Sequence, residues 1–182
     1  MGQGPRRRWL QMGWSQIPVL DDHSAFPLVR QSSGNDCGPA ALATVAAYYG
    51  CTFAYDDLAG EIALDRWGTD LLTLSRVANR IGFVAAGIKA SYDDIQHCRL
   101  PAIAHIRRLG GGHFVVVYRW DPTHVVLGDP AVGLRTISRR AFRRRSTGYL
   151  LVIQPALQFN VESNNQIDQL YIDTRINGRE KI

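Results

Sequence analysis

The apolar pattern of this chain changes period once, near Phe83, and that change limits the fold more than any other feature. Before it, apolar residues recur at helical spacing; after it, they come in short β-branched runs of strand length. Ala40, Ala41, Val45 and Tyr48 mark a helix from Cys37 to Tyr49, which Gly50 stops. A second short helix is predicted from Tyr55 to Ile62. A third starts at Thr69 as N-cap and runs through Leu71, Leu72, Leu74, Val77 and Ala78 to Gly82. Predicted strands then follow from Phe83 to Ile88, Ala102 to Ile106, His113 to Trp120, His124 to Gly128 and Tyr149 to Ile153. Short helices are expected from Tyr92 to Cys98 and across the basic stretch Ser138 to Arg145. Asp121-Pro122-Thr123, between two strand-like runs, is a hairpin signal. Helices first and antiparallel strands second make an α+β chain.

With 182 residues there is room for one domain and short extensions. The compact part is expected over residues 28–155. Residues 1–27 read as an irregular extension and 156–182 as a polar tail. Arg6, Arg7 and Arg8 have no apolar stretch behind them, so the start does not read as a signal peptide. No apolar run approaches bilayer length, and a cytoplasmic location is expected. The three cysteines, Cys37, Cys51 and Cys98, suit neither a disulfide framework nor a zinc knuckle. A formal net charge of +5 favours an acidic partner, but no motif supports nucleic-acid binding.

Three segments carry chemistry when read together. In Gln31-Ser32-Ser33-Gly34-Asn35-Asp36-Cys37-Gly38-Pro39, a cysteine stands where a helix begins. Helix-terminal N–H groups and the positive end of the helix dipole both favour a thiolate there. Gly38 admits close backbone approach, and Pro39 suits an early helical position. Gln31, six residues upstream, is placed to fold its amide back beside the sulfur. With the Cys37 backbone N–H it would form an oxyanion hole, worth about 3 kcal/mol in acyl transfer. In Gly110-Gly111-Gly112-His113-Phe114-Val115-Val116-Val117, a histidine opens a buried strand behind a glycine turn. Val125-Val126-Leu127-Gly128-Asp129-Pro130 puts Asp129 at the end of the partner strand, level with His113 across the hairpin. A carboxylate that orients an imidazole, which serves a thiol, is the arrangement of nucleophilic catalysis.

These segments, with Tyr48-Tyr49-Gly50, resemble those of the bacteriocin-processing, double-glycine leader peptidases. Those are papain-like cysteine peptidase domains usually found at the N-terminus of peptidase-containing ABC transporters. Gly68-Thr69-Asp70-Leu71-Leu72, Ile81-Gly82-Phe83 and Phe142…Thr147-Gly148 are weaker landmarks of the same family. The resemblance covers about residues 28–155 and implies a papain-like fold, with helices packed on an antiparallel sheet. It implies cleavage of a peptide precursor after a Gly-Gly pair, without cofactor or metal. Cys37 would be the nucleophile, His113 the base and then the acid, Asp129 the orienting group and Gln31 the oxyanion donor. The implied partners are an amphipathic leader peptide and an ABC transporter at the inner face of the membrane. No transmembrane region follows the matched segment in this sequence, a departure from the transporter pattern that fits either a free-standing member or a fragment of a longer chain.

Each residue also has a plainer reading. Cys37 alone would be a small core residue, His113 a core histidine and Asp129 a turn residue before Pro130. Their order with Gln31 favours catalysis. Cys51 and Cys98 read as ordinary thiols. His23, His97, His105 and His124 show no metal-ligand spacing, and Asp21-Asp22-His23 is thin evidence for a metal site. Arg139, Arg140, Arg143, Arg144 and Arg145 read as a solvated face, with docking to an acidic leader, anionic lipid or a transporter as the sharper alternative. Two rival functions stand beside the peptidase: a non-cleaving module that recruits leaders to an exporter, and another papain-like enzyme such as a cell-wall amidase or acyltransferase.

Overall fold

The structure, a computed structural model, describes residues 26–156 apart from Thr52, Ala54 and Ala63. Most of the predicted extension and tail, including Asp21-Asp22-His23, lies outside the described residues. Among the described residues, four α-helices and six strands run in the order α1 (Cys37–Tyr48), α2 (Tyr55–Glu61), α3 (Leu71–Arg80), β1 (Phe83–Lys89), β2 (Ala102–Arg108), β3 (Gly111–Trp120), β4 (His124–Asp129), β5 (Gly133–Ser138), α4 (Arg139–Arg145) and β6 (Ser146–Pro155). The strands form one antiparallel sheet in the order β1-β6-β2-β3-β4-β5. The chain is therefore α+β, as the single change of period implies.

Helix α1 is more central than an amphipathic reading suggests. Every residue from Cys37 to Ala46 is buried, so its alanines recur because neighbours surround it on all sides. It packs against β3, and α3 lies over β1 on the same face. Leu42, Val45, Leu74 and Val77 meet Ile103, Val116, Leu151 and Ile153 there. The opposite face is covered by α4, whose Phe142 sinks among Ile106, Val115, Val117, Val125 and Leu150. Because β3 is covered on both faces, its six residues from His113 to Tyr118 are all buried. The sequence shows a continuous apolar run there instead of alternation.

Three expectations need correction. The N-cap of α3 is Asp70, not Thr69: the Asp70 carboxylate accepts the Thr73 N–H at 2.7 Å. The helix predicted from Tyr92 to Cys98 shrinks to a 3-10 turn at Ile95–His97, whose single deep anchor is Ile95. Strand β5 was not foreseen. Its side chains are mostly exposed, so it carries no buried-strand pattern, and it exists through its pairing with β4 from His124↔Ser138 to Asp129↔Gly133.

Helix α4 shows how a short basic helix is held. Ser138 caps it by accepting the Ala141 N–H at 3.2 Å, and Phe142, 1% exposed, stacks edge-on against Trp120. Arg139 is structural as well: its guanidinium lies 4.9 Å from the Trp120 ring centroid and donates to the Tyr92 hydroxyl at 3.0 Å. Arg140, Arg143, Arg144 and Arg145 are exposed. Among the described residues, no helix is long and apolar enough to cross a membrane.

Candidate active site

Cys37 is the first residue of α1, at the end of that helix that lies over the edge where β3 begins and β4 ends. The loop ahead of it is tied down by Asp36. This carboxylate is 3% exposed and accepts the Ser32 N–H at 3.0 Å, the Ser32 hydroxyl at 2.7 Å, the Ser33 N–H at 3.0 Å and the Tyr55 hydroxyl at 2.7 Å. It makes no side-chain cap on α1, because its oxygens face back into the loop. The segment from Asp65 to Asp70 closes over the same region: Asn35 donates to the Asp65 carbonyl at 2.8 Å. Two glycines permit this approach. A Cβ on Gly38 would stand 2.4 Å from Thr69 Cγ2, and one on Gly68 (φ +105°) would stand 2.8 Å from the Asn35 carbonyl oxygen.

His113 and Asp129 arrive from neighbouring strands. The β3–β4 pairing and the tight turn after Asp129, in which the Val132 N–H reaches the Asp129 carbonyl at 3.1 Å, set the two side chains together. His113 Nε2 lies 2.7 Å from Asp129 Oδ1, and both residues are buried. With Nε2 so engaged, Nδ1 is left for the thiol. Asp129 Oδ1 also accepts the Ala131 N–H at 3.0 Å.

Electrostatics follow from this arrangement. Burial pushes the Cys37 thiol up, but hydrogen bonding to His113 and the N–H groups of Phe114 and Gly38 outweigh it, and its pKa falls below the ordinary value. Burial alone would lower His113; contact with Asp129 and with Cys37 raises it to about 9. Asp129, which burial would raise, is held below the usual carboxylate range by His113, the Ala131 N–H and Arg108. Cys51 and Cys98 move the other way, both raised chiefly by burial. Of the three cysteines, Cys37 is the one whose pKa is lowered, which favours its thiolate beside a protonated His113. That arrangement suits nucleophilic attack on a carbonyl followed by proton return to a leaving group.

Of the four residues singled out in the sequence, the structure brings Cys37, His113 and Asp129 together. Gln31 is anchored nearby, its N–H bonded to the Pro130 carbonyl at 3.1 Å, next to Asp129. Its amide, however, points into its own loop: Nε2 donates to the Ser33 carbonyl at 2.5 Å, and Oε1 is buried without a partner among the described residues. Two further residues take their places beside the site only in the fold. Asp36 carries no motif signal as a buried carboxylate, since its partners Ser32, Ser33 and Tyr55 meet it only in the fold. His105 packs its ring where a Cβ on Gly112 would sit, 2.2 Å from Nε2, and its Nδ1 pairs with the Thr147 hydroxyl at 3.0 Å. Burial, His113 and Arg107 all lower its pKa. Among the described residues, no group of three or more His, Cys, Asp or Glu side chains could hold a metal ion.

Asp36 leads to a direct expectation. Its pKa lies at about 2, against an ordinary 3.8: burial raises it, and the hydrogen bonds from Ser32, Tyr55 and Ser33 more than reverse that. A depressed carboxylate contributes stability above the unfolded pKa and loses it as pH falls towards the folded one, here on the order of 2 kcal/mol. The stability of wild type should therefore fall from about pH 4 to pH 2 more steeply than that of Asp36→Asn, as urea titrations at stepped pH would record. Parallel curves would remove Asp36 as the loop's anchor.

A helix end bearing a thiol, set over an antiparallel sheet that supplies a buried histidine–carboxylate pair, defines the papain-like class of cysteine peptidase domains. The comparisons agree. The sequence matches the Peptidase C39 family over residues 25–158, and the chain belongs to that family of cysteine peptidases. An uncharacterised protein of Methanothermobacter marburgensis is 37% identical over 127 residues, covering 70% of this chain and 87% of its own length. The colicin V secretion/processing ATP-binding protein of Escherichia coli is 28% identical over 156 residues, 86% of this chain but 21% of that protein. This chain thus spans about a fifth of that transporter relative. Among solved structures, a double glycine motif protease from an AMS/PCAT transporter, in complex with the leader peptide, superposes with a TM-score of 0.69 at 28% identity, covering 77% of this chain and 99% of its own. The peptidase domain of Streptococcus ComA, a bi-functional ABC transporter, gives 0.68 at 30% identity, covering 72% and 99%.

Proposed function

We propose that this protein is a cysteine endopeptidase that cuts a ribosomal, bacteriocin-like peptide precursor after the Gly-Gly pair ending its leader. The observation that carries this reading is the continuous line from Cys37 through His113 to Asp129, with Nε2 and Oδ1 2.7 Å apart. The Cys37 thiolate attacks the carbonyl of the second glycine, and the C–N bond breaks as His113 gives its proton to the departing amine. The leader is left as a thioester on Cys37. His113, now neutral, takes a proton from water as the water attacks the thioester, and the leader leaves with a free carboxyl group. Asp129 holds the imidazole in the tautomer that points Nδ1 at sulfur and stabilises the imidazolium. The chemistry uses side chains and water alone.

The oxyanion of each tetrahedral intermediate would be met by the Cys37 N–H and the Gln31 amide. For Gln31 this requires Nε2 to leave the Ser33 carbonyl. The unpaired, buried Oε1 offsets part of that loss, because its present position already costs about 1–3 kcal/mol. The Gly-Gly preference, the amphipathic leader as partner, association with an ABC transporter and a place at the cytoplasmic face of the membrane are supported by the transporter relatives and by the related protease seen with a leader peptide.

The test is mass spectrometry of synthetic amphipathic leaders ending in Gly-Gly or Ala-Ala, incubated with the protein before and after thiol alkylation. Cleavage only after Gly-Gly, abolished by alkylation, is expected. Tight binding without cleavage would overturn it in favour of a recruiting module, and neither result would point to a different papain-like chemistry.

A further inference from the structure

Asp129 faces two ways. On one side it holds His113; on the other it forms part of the wall of a cavity of about 490 Å³. The rest of that wall includes Arg107 and Arg108 at the end of β2, Leu109 in the β2–β3 turn, Arg135 on β5 and Arg145 at the end of α4. Four arginines from three separate elements thus line one cavity, and the single carboxylate among them is already committed to His113. All four arginines and Leu109 are exposed. Among the described residues, no hydrogen bond or ion pair occupies Arg135 or Arg145.

The position of this cavity relative to the chemistry follows from the reaction. The departing amine must lie within reach of His113 to take its proton, so the chain beyond the cut leaves on the His113 side of the sulfur. One imidazole and two hydrogen bonds, about 8 Å in all, separate the Cys37 sulfur from the Asp129 wall. An extended chain covers that distance in two to three residues at about 3.3 Å each.

We propose that the cavity is a subsite for the cargo side of the precursor, and that it favours Asp or Glu among roughly the first four residues after the cut. This rests on the proposed cleavage reaction and names which cargo the same site prefers. Carboxylates there would pair with Arg135 and Arg145, which fan in from two elements, while a lysine would meet like charge with only a neutralised Asp129 to offset it. The charge imbalance also gives the protein's basic helix end a use that solvation alone does not. Arg145 closes the cavity from α4, whereas Arg139 on the same helix is absorbed into the Tyr92–Trp120 packing.

Three peptides test this, sharing one leader and Gly-Gly but carrying Asp-Glu, Ser-Gln or Lys-Lys at the third and fourth positions after the cut. Their affinities for the full-length Cys37→Ala protein, read by fluorescence anisotropy, need no cleavage. Their kcat/KM values with the wild-type protein are measured alongside. At low salt the acidic peptide should bind about tenfold more tightly than the dilysine peptide, and about 0.5 M salt should close most of the gap. The double variant R135Q/R145Q should bring the ratio close to one. Equal affinities for the Cys37→Ala protein, or a ratio untouched by adding the double variant to it, would overturn the subsite. Ordered affinities with no cleavage of any peptide would instead overturn the peptidase reading and leave the subsite standing.

Discussion

Replacing Cys37 with alanine is expected to abolish cleavage of a Gly-Gly leader while leaving leader affinity unchanged. The loss should be on the order of 10⁴-fold or more in kcat, since among the described residues Cys37 is the thiol that bonds to His113. Cys51 and Cys98 are half-buried thiols whose pKa values move upwards, and neither reaches His113. The substitution is mild in structural terms. The side chain stands on the first residue of a helix in which Ala40, Ala41, Ala43 and Ala46 are already buried. Asp36 continues to hold the preceding loop, and the His113–Asp129 bond survives. Cleavage assayed by mass spectrometry beside leader binding separates the two effects. Retained turnover would sink the nucleophile assignment, and lost binding would show that the thiol also shapes the peptide site.

Asp129→Asn should produce the second-largest effect, greater on activity than on stability. The amide Oδ1 can still accept from His113 and from the Ala131 N–H, so the turn into β5 keeps its bonds. What disappears is the charge that holds His113 at about 9. Turnover should fall roughly 10- to 100-fold, and the alkaline limb of the kcat/KM profile should move downwards from about pH 9. The sign for stability agrees. A histidine raised in the folded state contributes below its unfolded pKa of 6.5 and loses that contribution as pH rises through about 9. The gap in thermal stability between wild type and variant should therefore be widest near pH 6 and narrow towards pH 9. Unchanged turnover would reduce Asp129 to a turn residue before Pro130.

Much of this was legible in the chain itself. The change from helical to strand-like spacing at Phe83 fixed the α+β order. The residues around Cys37, His113 and Asp129 were readable because backbone chemistry is local: a helix start, a glycine turn before a strand and a hairpin with a short turn each constrain their neighbours. The family resemblance rested on those same residues, and the Peptidase C39 match agrees with it. Helix α4 was equally local, since Ser138 caps it and Phe142 anchors it.

What the sequence alone settled, then, is which residue types stand at the ends of which elements. The tertiary structure decided how those ends meet. Strand β5 has no buried face of its own and forms only because β4 offers it an edge. Asp36 is an ordinary loop aspartate until Ser32, Ser33 and Tyr55, up to nineteen residues away, surround its oxygens. Gln31, placed by spacing beside the sulfur, turns its amide to Ser33 instead. The four arginines that line the cavity beside Asp129 lie as far apart in sequence as Arg107 and Arg145, and only the order β2-β3-β4-β5 with α4 brings them to one wall. Periodicity and capping act within a few residues, so the chain displays them directly. Burial and electrostatic fields act through space, between segments that only the fold makes neighbours.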